Sequence, residues 1–129
     1  MSNRMSVLVV SGSLERLQMA AMIASVGAVS GHEVVVFLSM NALPQFRKGA
    51  HPQPPCEGEV GRLLLEKKAP PFLQLFENAV DLGDAKIHPC SMAMDILGYS
   101  AEDIQPYVGA PMGLTKFLDD AREGQVWTF

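Results

Sequence analysis

Cys90 stands in the run His88-Pro89-Cys90-Ser91-Met92, where an apolar stretch gives way to a helical one. A cysteine there occupies the cap or first position of a helix. The unpaired N–H groups and positive end of that helix would face its sulfur. Such groups favour thiolate over thiol, and the thiolate is the nucleophile. His88, two residues earlier, projects to the same side of the strand and could shuttle a proton. Ser91 and Asp95 lie on the following helix, and Asp95 is better suited to orienting backbone than to chemistry. Each feature also has a plainer reading. A free cysteine is often inert packing, a lone strand histidine is often hydrogen-bonded scaffold, and Met92 and Met94 serve as core filler. A Cu(I) site from Cys90, Met92 and Met94 is disfavoured, because alternation puts the two methionines on different helix faces. No metal is expected. Cys56, among prolines, reads as a solvent-exposed bystander rather than a resolving thiol.

Two further strand-to-helix edges offer a candidate pocket. One is Ser11-Gly12-Ser13; the other runs Gly109-Ala110-Pro111-Met112-Gly113. In an open parallel sheet, ligands gather at such edges. Ser11, Gly12, Gly109 and Met112 are the residues placed there. The first turn lacks the glycine spacing of a dinucleotide or phosphate loop, so a phosphate role has little support from sequence.

The elements that must position these groups alternate as βαβ units do, which predicts an α/β fold with a mostly parallel sheet. Val7 to Val10 reads as a strand buried on both faces. Leu14 to Ser30 reads as a helix whose small residues Ala20, Ala21, Ala24, Gly27 and Ala28 suit close packing, with Gly31 as the stop. Glu33 to Leu38 is the second strand. From Gln45 to Pro71 the chain is irregular, punctuated by Gly49, Pro52, Pro54, Pro55, Gly58 and Gly61, with a helical turn or two over Val60 to Lys68. A helix starting after Pro70-Pro71 runs to Gly83, followed by a strand Ala85 to His88 and a short helix Ser91 to Leu97 closed by Gly98. Tyr107-Val108 is expected as a very short fourth strand, Met112 to Glu123 as the last helix, and Gln125 to Phe129 as the fifth strand.

Composition bounds the reading further. The 129 residues carry a net charge of −4, with 48% hydrophobic and 19% charged residues, which predicts one globular domain over 1–129. Without a clustered basic stripe, nucleic acid is not an expected partner. Met5 to Val10 is too short for a signal-peptide core, and Met19 to Val29 falls short of the about 20 residues that cross a bilayer. A cytoplasmic location with reduced cysteines follows as the expectation.

The residues also carry a family resemblance. The stretch Val7 to Phe37, VLVVSGSLERLQMAAMIASVGAVSGHEVVVF, resembles the opening unit of the DsrE/DsrF-like sulfur-relay proteins (the DsrEFH and TusD-like group). The block PCSMAMDILG, Pro89 to Gly98, is similar to the C-x-M-S-M-D-x-M-G segment of one DsrE-like branch, with Ala93 where that branch has Ser. The ending GLTKFLDDAREGQVWTF resembles its final helix and strand, and only Gln45 to Pro71 lies outside the likeness. The resemblance implies a three-layer α/β/α sandwich around a mostly parallel five-stranded sheet, often assembled into homotrimers or hexamers. It also implies that Cys90 carries sulfane sulfur as a persulfide and relays it between donor and acceptor proteins or small thiols, without a cofactor. Met92, Met94, Asp95 and Gly98 match the surrounding motif.

Three functional readings stay open at this point: a sulfur carrier or sulfurtransferase, a non-enzymatic small-ligand or nucleotide-binding module, and a thiol peroxidase. Homo-oligomerisation is expected on a second ground, since Phe46, Phe72, Phe76 and Trp127 are candidates for exposed apolar surface.

Overall fold

The computed structural model describes residues 3–49 and 53–129; Pro52, one of the punctuating prolines, lies outside them. Strands β1 (Arg4–Val9), β2 (Glu33–Leu38), β3 (Lys86–Pro89) and β4 (Gln125–Thr128) form one sheet in the order β3-β2-β1-β4, parallel throughout. Helices α1 (Leu14–Val29), α2 (Glu59–Glu66), α3 (Phe72–Gly83), α4 (Ser91–Leu97) and α5 (Leu114–Asp120) connect them, with 3-10 turns at Met40–Phe46 and Ala101–Asp103.

Strand residues alternate between faces, and that alternation sets the layers. Val34 lies against Gly27 of α1, whereas Phe37, three residues on, stacks on Phe117 of α5 at 4.8 Å between ring centroids. Helices α1 and α5 therefore cover opposite faces, and the fold is an α/β/α sandwich. The small residues of α1 serve as expected. Ala20, Ala21, Ala24, Gly27 and Ala28 are all buried, and α3 approaches so closely that a Cβ on Gly83 would sit 2.4 Å from that of Ala28.

The sheet has four strands rather than five. Tyr107 and Val108 form a turn, closed by the Val108 N–H on the Gln105 carbonyl at 3.0 Å. The chain then runs extended beside β3, where Gly109 N–H donates to the Ile87 carbonyl at 2.7 Å. Residue 111 should supply the next ladder donor, but proline has no N–H. The pairing slips by one, so Met112 donates to Pro89 at 2.9 Å, and in place of the expected fourth strand at Tyr107-Val108 there is a single bridge, Cys90 with Met112. Because Met112 is committed to that bridge, α5 starts at Leu114 and is shorter than the expected 112–123.

The irregular stretch is more ordered than its composition implies. Phe46 is fully buried, and Phe72 and Phe76 pack edge-on against it, which corrects the expectation that these three rings are exposed. Trp127 does remain partly exposed. A carboxylate fastens the segment before α2 to α1. Glu15 accepts the N–H groups of Glu57 at 2.8 Å, Gly58 at 2.7 Å and Gly61 at 3.2 Å, standing in for the side-chain cap that α2 lacks. The Glu57 N–H, with those of Gly58 and Gly61, holds the Glu15 carboxyl below its ordinary value of 4.5 against a smaller opposing effect of desolvation.

A depressed folded-state pKa contributes stability above the unfolded value, and that contribution is lost as pH falls through the lower folded one. Hydrogen-exchange protection at Glu57, Gly58 and Gly61 is therefore expected to drop on acidification below about pH 4.5. Glu15→Gln should already lower it at pH 6. Unchanged protection in that variant would show that the carboxylate charge does not hold the segment.

Candidate functional site

Cys90 occupies the N-cap of the seven-residue α4, at the carboxyl end of the parallel sheet. Pro89 and Gly98, in left-handed conformation at φ 70°, bound the helix as the sequence implies. Its backbone is held on both sides: the Cys90 N–H donates to the Leu38 carbonyl at 2.8 Å, and its carbonyl accepts from Met94 at 2.9 Å. Ser91 N–H is taken by the Met112 carbonyl at 3.0 Å. Among the described residues, the N–H groups of Met92 and Ala93 have no hydrogen-bond partner, as the first turn of a helix requires. They are the donors available to an anion on the capping side chain. The sulfur itself makes no capping hydrogen bond, and Cys90 is only 5% exposed. Of the two sequence readings, the burial is that of a packed cysteine, and a sulfur relay would need the thiol to become accessible. The side chain belongs to the buried core, and the backbone adjoins segment 109–112 through the bridge to Met112.

The supporting residues divide. His88 is half-buried, and its Nδ1 lies 2.8 Å from the Ala110 carbonyl. A carbonyl only accepts, so Nδ1 carries a hydrogen and Nε2 is the remaining site for a proton. The ring thus fastens segment 109–112 to β3. Asp95 is exposed, and Ser91 is half-buried beside Gly113. Met94 is buried, but Met92 is 54% exposed and does not fill the core.

The four candidate pocket residues do not share one pocket. Ser11 and Gly12 line a cavity of about 380 Å³ with Asn41, Pro44, Gln45 and Pro55. Gly109 and Met112 lie along β3, beside His88 and Cys90. Gly12 is required where it stands, since a Cβ there would meet the Asn41 carbonyl oxygen at 2.6 Å. Of the four amides from Ser11 to Leu14, three are already bonded: Ser11 to Phe129, Ser13 to the Ser11 hydroxyl, and Leu14 to Pro55. Phosphate cradles depend on several free N–H groups, so this turn is not built as one.

Residues 56–129 match the DsrE/DsrF/DrsH-like family. The chain belongs to this family. The DsrE/DsrF/DrsH-like match starts at Cys56, so it takes in α2 and leaves out the first βαβ unit; the likeness read from sequence had drawn that boundary differently. Two solved structures share the fold over nearly the whole chain. The ychN protein from E. coli aligns with a TM-score of 0.61 and 17% identity, covering 98% of this chain and 99% of the other. MTH1491 from Methanobacterium thermoautotrophicum, described as a protein of unknown function, aligns with a TM-score of 0.58 and 10% identity over 98% of each chain. No curated protein gives a significant match. Cys90, α4 and the bridging segment 109–112 all fall within the family stretch. Sequence reasoning placed Gly109 and Met112 at a sheet edge but missed the bridge between Met112 and Cys90. No helix among the described residues is long and apolar enough to cross a membrane.

Proposed function

We propose that this member of the DsrE/DsrF/DrsH-like family carries sulfane sulfur on Cys90 in the reducing setting of the cytoplasm. The observation that carries the reading is the placement of a cysteine at the α4 N-cap, with the Met92 and Ala93 N–H groups unpaired beside it. The Cys90 thiolate attacks the outer sulfur of a donor persulfide R–S–SH. A Cys90 S–SH bond forms, the donor S–S bond breaks, and R–S⁻ leaves. An acceptor thiolate then attacks the same outer sulfur and returns Cys90 to its thiolate. Both steps exchange one S–S bond for another, so neither needs an oxidant or a metal. Because Cys90 is shielded, loading waits on displacement of segment 109–112. Mass spectrometry of the intact chain after polysulfide treatment tests the reading: added sulfur should map to Cys90, and its absence there overturns the proposal.

The same reading includes self-association, as a trimer or hexamer, through the outer face of α1 and the adjoining β4. There Met19, Met22, Val26 and Trp127 border a cavity of about 430 Å³, and Val26 is 66% exposed. Strand β4 pairs only with β1 and carries no charged side chain, so its outer edge is undefended. Light scattering is expected to find an oligomer for the unaltered chain and a smaller species for Val26→Asp. A strict monomer for the unaltered chain would contradict the assembly.

A further inference from the structure

We propose that the half-open cavity between α1, α2, α3 and the loop residues Gln53 and Pro54 binds a small amphipathic acid: an apolar tail, a carboxylate, and a hydroxyl close to that carboxylate. This site is separate from Cys90 and does not depend on its chemistry. The cavity measures about 450 Å³, within the range of small-molecule sites, and its walls are largely apolar, among them Leu14, Leu64, Phe72 and Leu73. Those walls call for the tail.

Two polar groups define the head. Gln18 lines the cavity and is only 6% exposed, with its Nε2 donating to the Pro70 carbonyl at 2.9 Å. That carbonyl can only accept, so the orientation of the amide is fixed with nitrogen toward Pro70. The Gln18 oxygen has no protein partner among the described residues and is not sealed from solvent, so it is free to accept from a ligand hydroxyl. Lys68 lines the same cavity, is exposed, and has no ion pair among the described residues. Its φ of 53° is a left-handed conformation in which lysine is uncommon. That conformation closes α2, with the Lys68 N–H donating to the Leu65 carbonyl at 3.2 Å and the Ala69 N–H to the Leu64 carbonyl at 3.0 Å, and the turn carries the chain back over the cavity to Pro70.

Lys68 precedes Pro70 by two residues, so its backbone stands within about 7 Å of the residue whose carbonyl holds the Gln18 amide. A ligand that uses both groups carries its anionic group and its hydroxyl at the same end. A 3-hydroxy acid with an apolar tail meets all three demands.

Titration of the ¹⁵N-labelled full chain with 3-hydroxydecanoate, decanoate and decanol tests this by NMR. Both acids should shift the amides of Leu14, Leu64 and Phe72, the hydroxy acid binding about fivefold or more tightly than decanoate. Lys68→Glu should weaken both acids about tenfold and leave decanol unchanged. Gln18→Leu should abolish the preference for the hydroxyl. Should Gln18→Leu fail to fold, the exposed Lys68 and the comparison of the two acids still decide. The proposal is overturned by an absence of shifts at millimolar ligand, by shifts confined to other surfaces, by equal binding of the two acids, or by a Lys68→Glu variant that binds the acids unchanged.

Discussion

Cys90→Ser is expected to take up no sulfur from polysulfide, a fall on the order of a hundredfold or more in loading, whereas Cys56→Ser loads as the unaltered chain does. The asymmetry rests on position rather than exposure. Cys56 is the more accessible thiol, lying half-buried on the segment fastened by Glu15, but no helix start surrounds it. Cys90 is shielded, yet it faces two N–H groups that no other group in the described chain uses. A general thiol reagent should therefore find Cys56 first and Cys90 slowly in the native protein, and both quickly in denaturant. Sulfane sulfur, if it is the cargo, should finish on Cys90 despite that order, because only there can the persulfide anion accept hydrogen bonds from backbone. Sulfur distributed according to exposure alone would make Cys90 an ordinary core cysteine. Removing His88 separates the two parts of the argument. His88→Ala removes the side-chain bond to Ala110 and leaves segment 109–112 held by its backbone bonds alone, which is expected to speed thiol labelling of Cys90; an unchanged rate would mean that the segment is not the gate.

That contrast shows which parts of the molecule are legible along the chain and which are not. Val7, Val9, Val34 and Val36 read as uninterrupted apolar runs because helices cover both faces of the sheet, and all four are buried. The cap position of Cys90 could be read from its neighbours, since a proline before a helix and a glycine after it are local signals. Its exposure could not. The carbonyl that holds His88 belongs to Ala110, and the bridge beside Cys90 is made by Met112; each is about twenty residues away, and neither pairing leaves a trace in local pattern. The missing strand at Tyr107-Val108 has a similar cause. Pro111 is visible in sequence, but its effect depends on which β3 carbonyl it meets. Met92 was misread for a different reason: a methionine beside buried Ala93 and Met94 looks like core until the helix face is known.

The aromatic cluster around Phe46 carries the largest expected stability effect and also bears on the gate. Phe46→Ala is expected to cost about 3–5 kcal/mol, a large share of the 5–15 kcal/mol typical of a domain. The ring is fully buried, 5.1 Å from Phe76 at an interplanar angle of 64° and 6.1 Å from Phe72 at 73°, so truncation leaves a cavity and breaks two edge-on contacts. Trp127→Ala, with a ring 40% exposed, should cost far less in the monomer although tryptophan is the larger side chain. Urea unfolding followed by circular dichroism compares the two, and a Phe46→Ala loss below about 1 kcal/mol would mean that the cluster is not core. The backbone of this region adds a second consequence. The Phe46 carbonyl accepts the Gln105 N–H at 2.9 Å, and Arg47 bridges Ile104, so residues 46–47 anchor the chain just before it turns into segment 109–112. Loosening that anchor should raise the labelling rate of Cys90 more than that of Cys56 at denaturant concentrations well below the unfolding midpoint. Equal acceleration of both thiols would instead report global unfolding and would uncouple the cluster from the sulfur site.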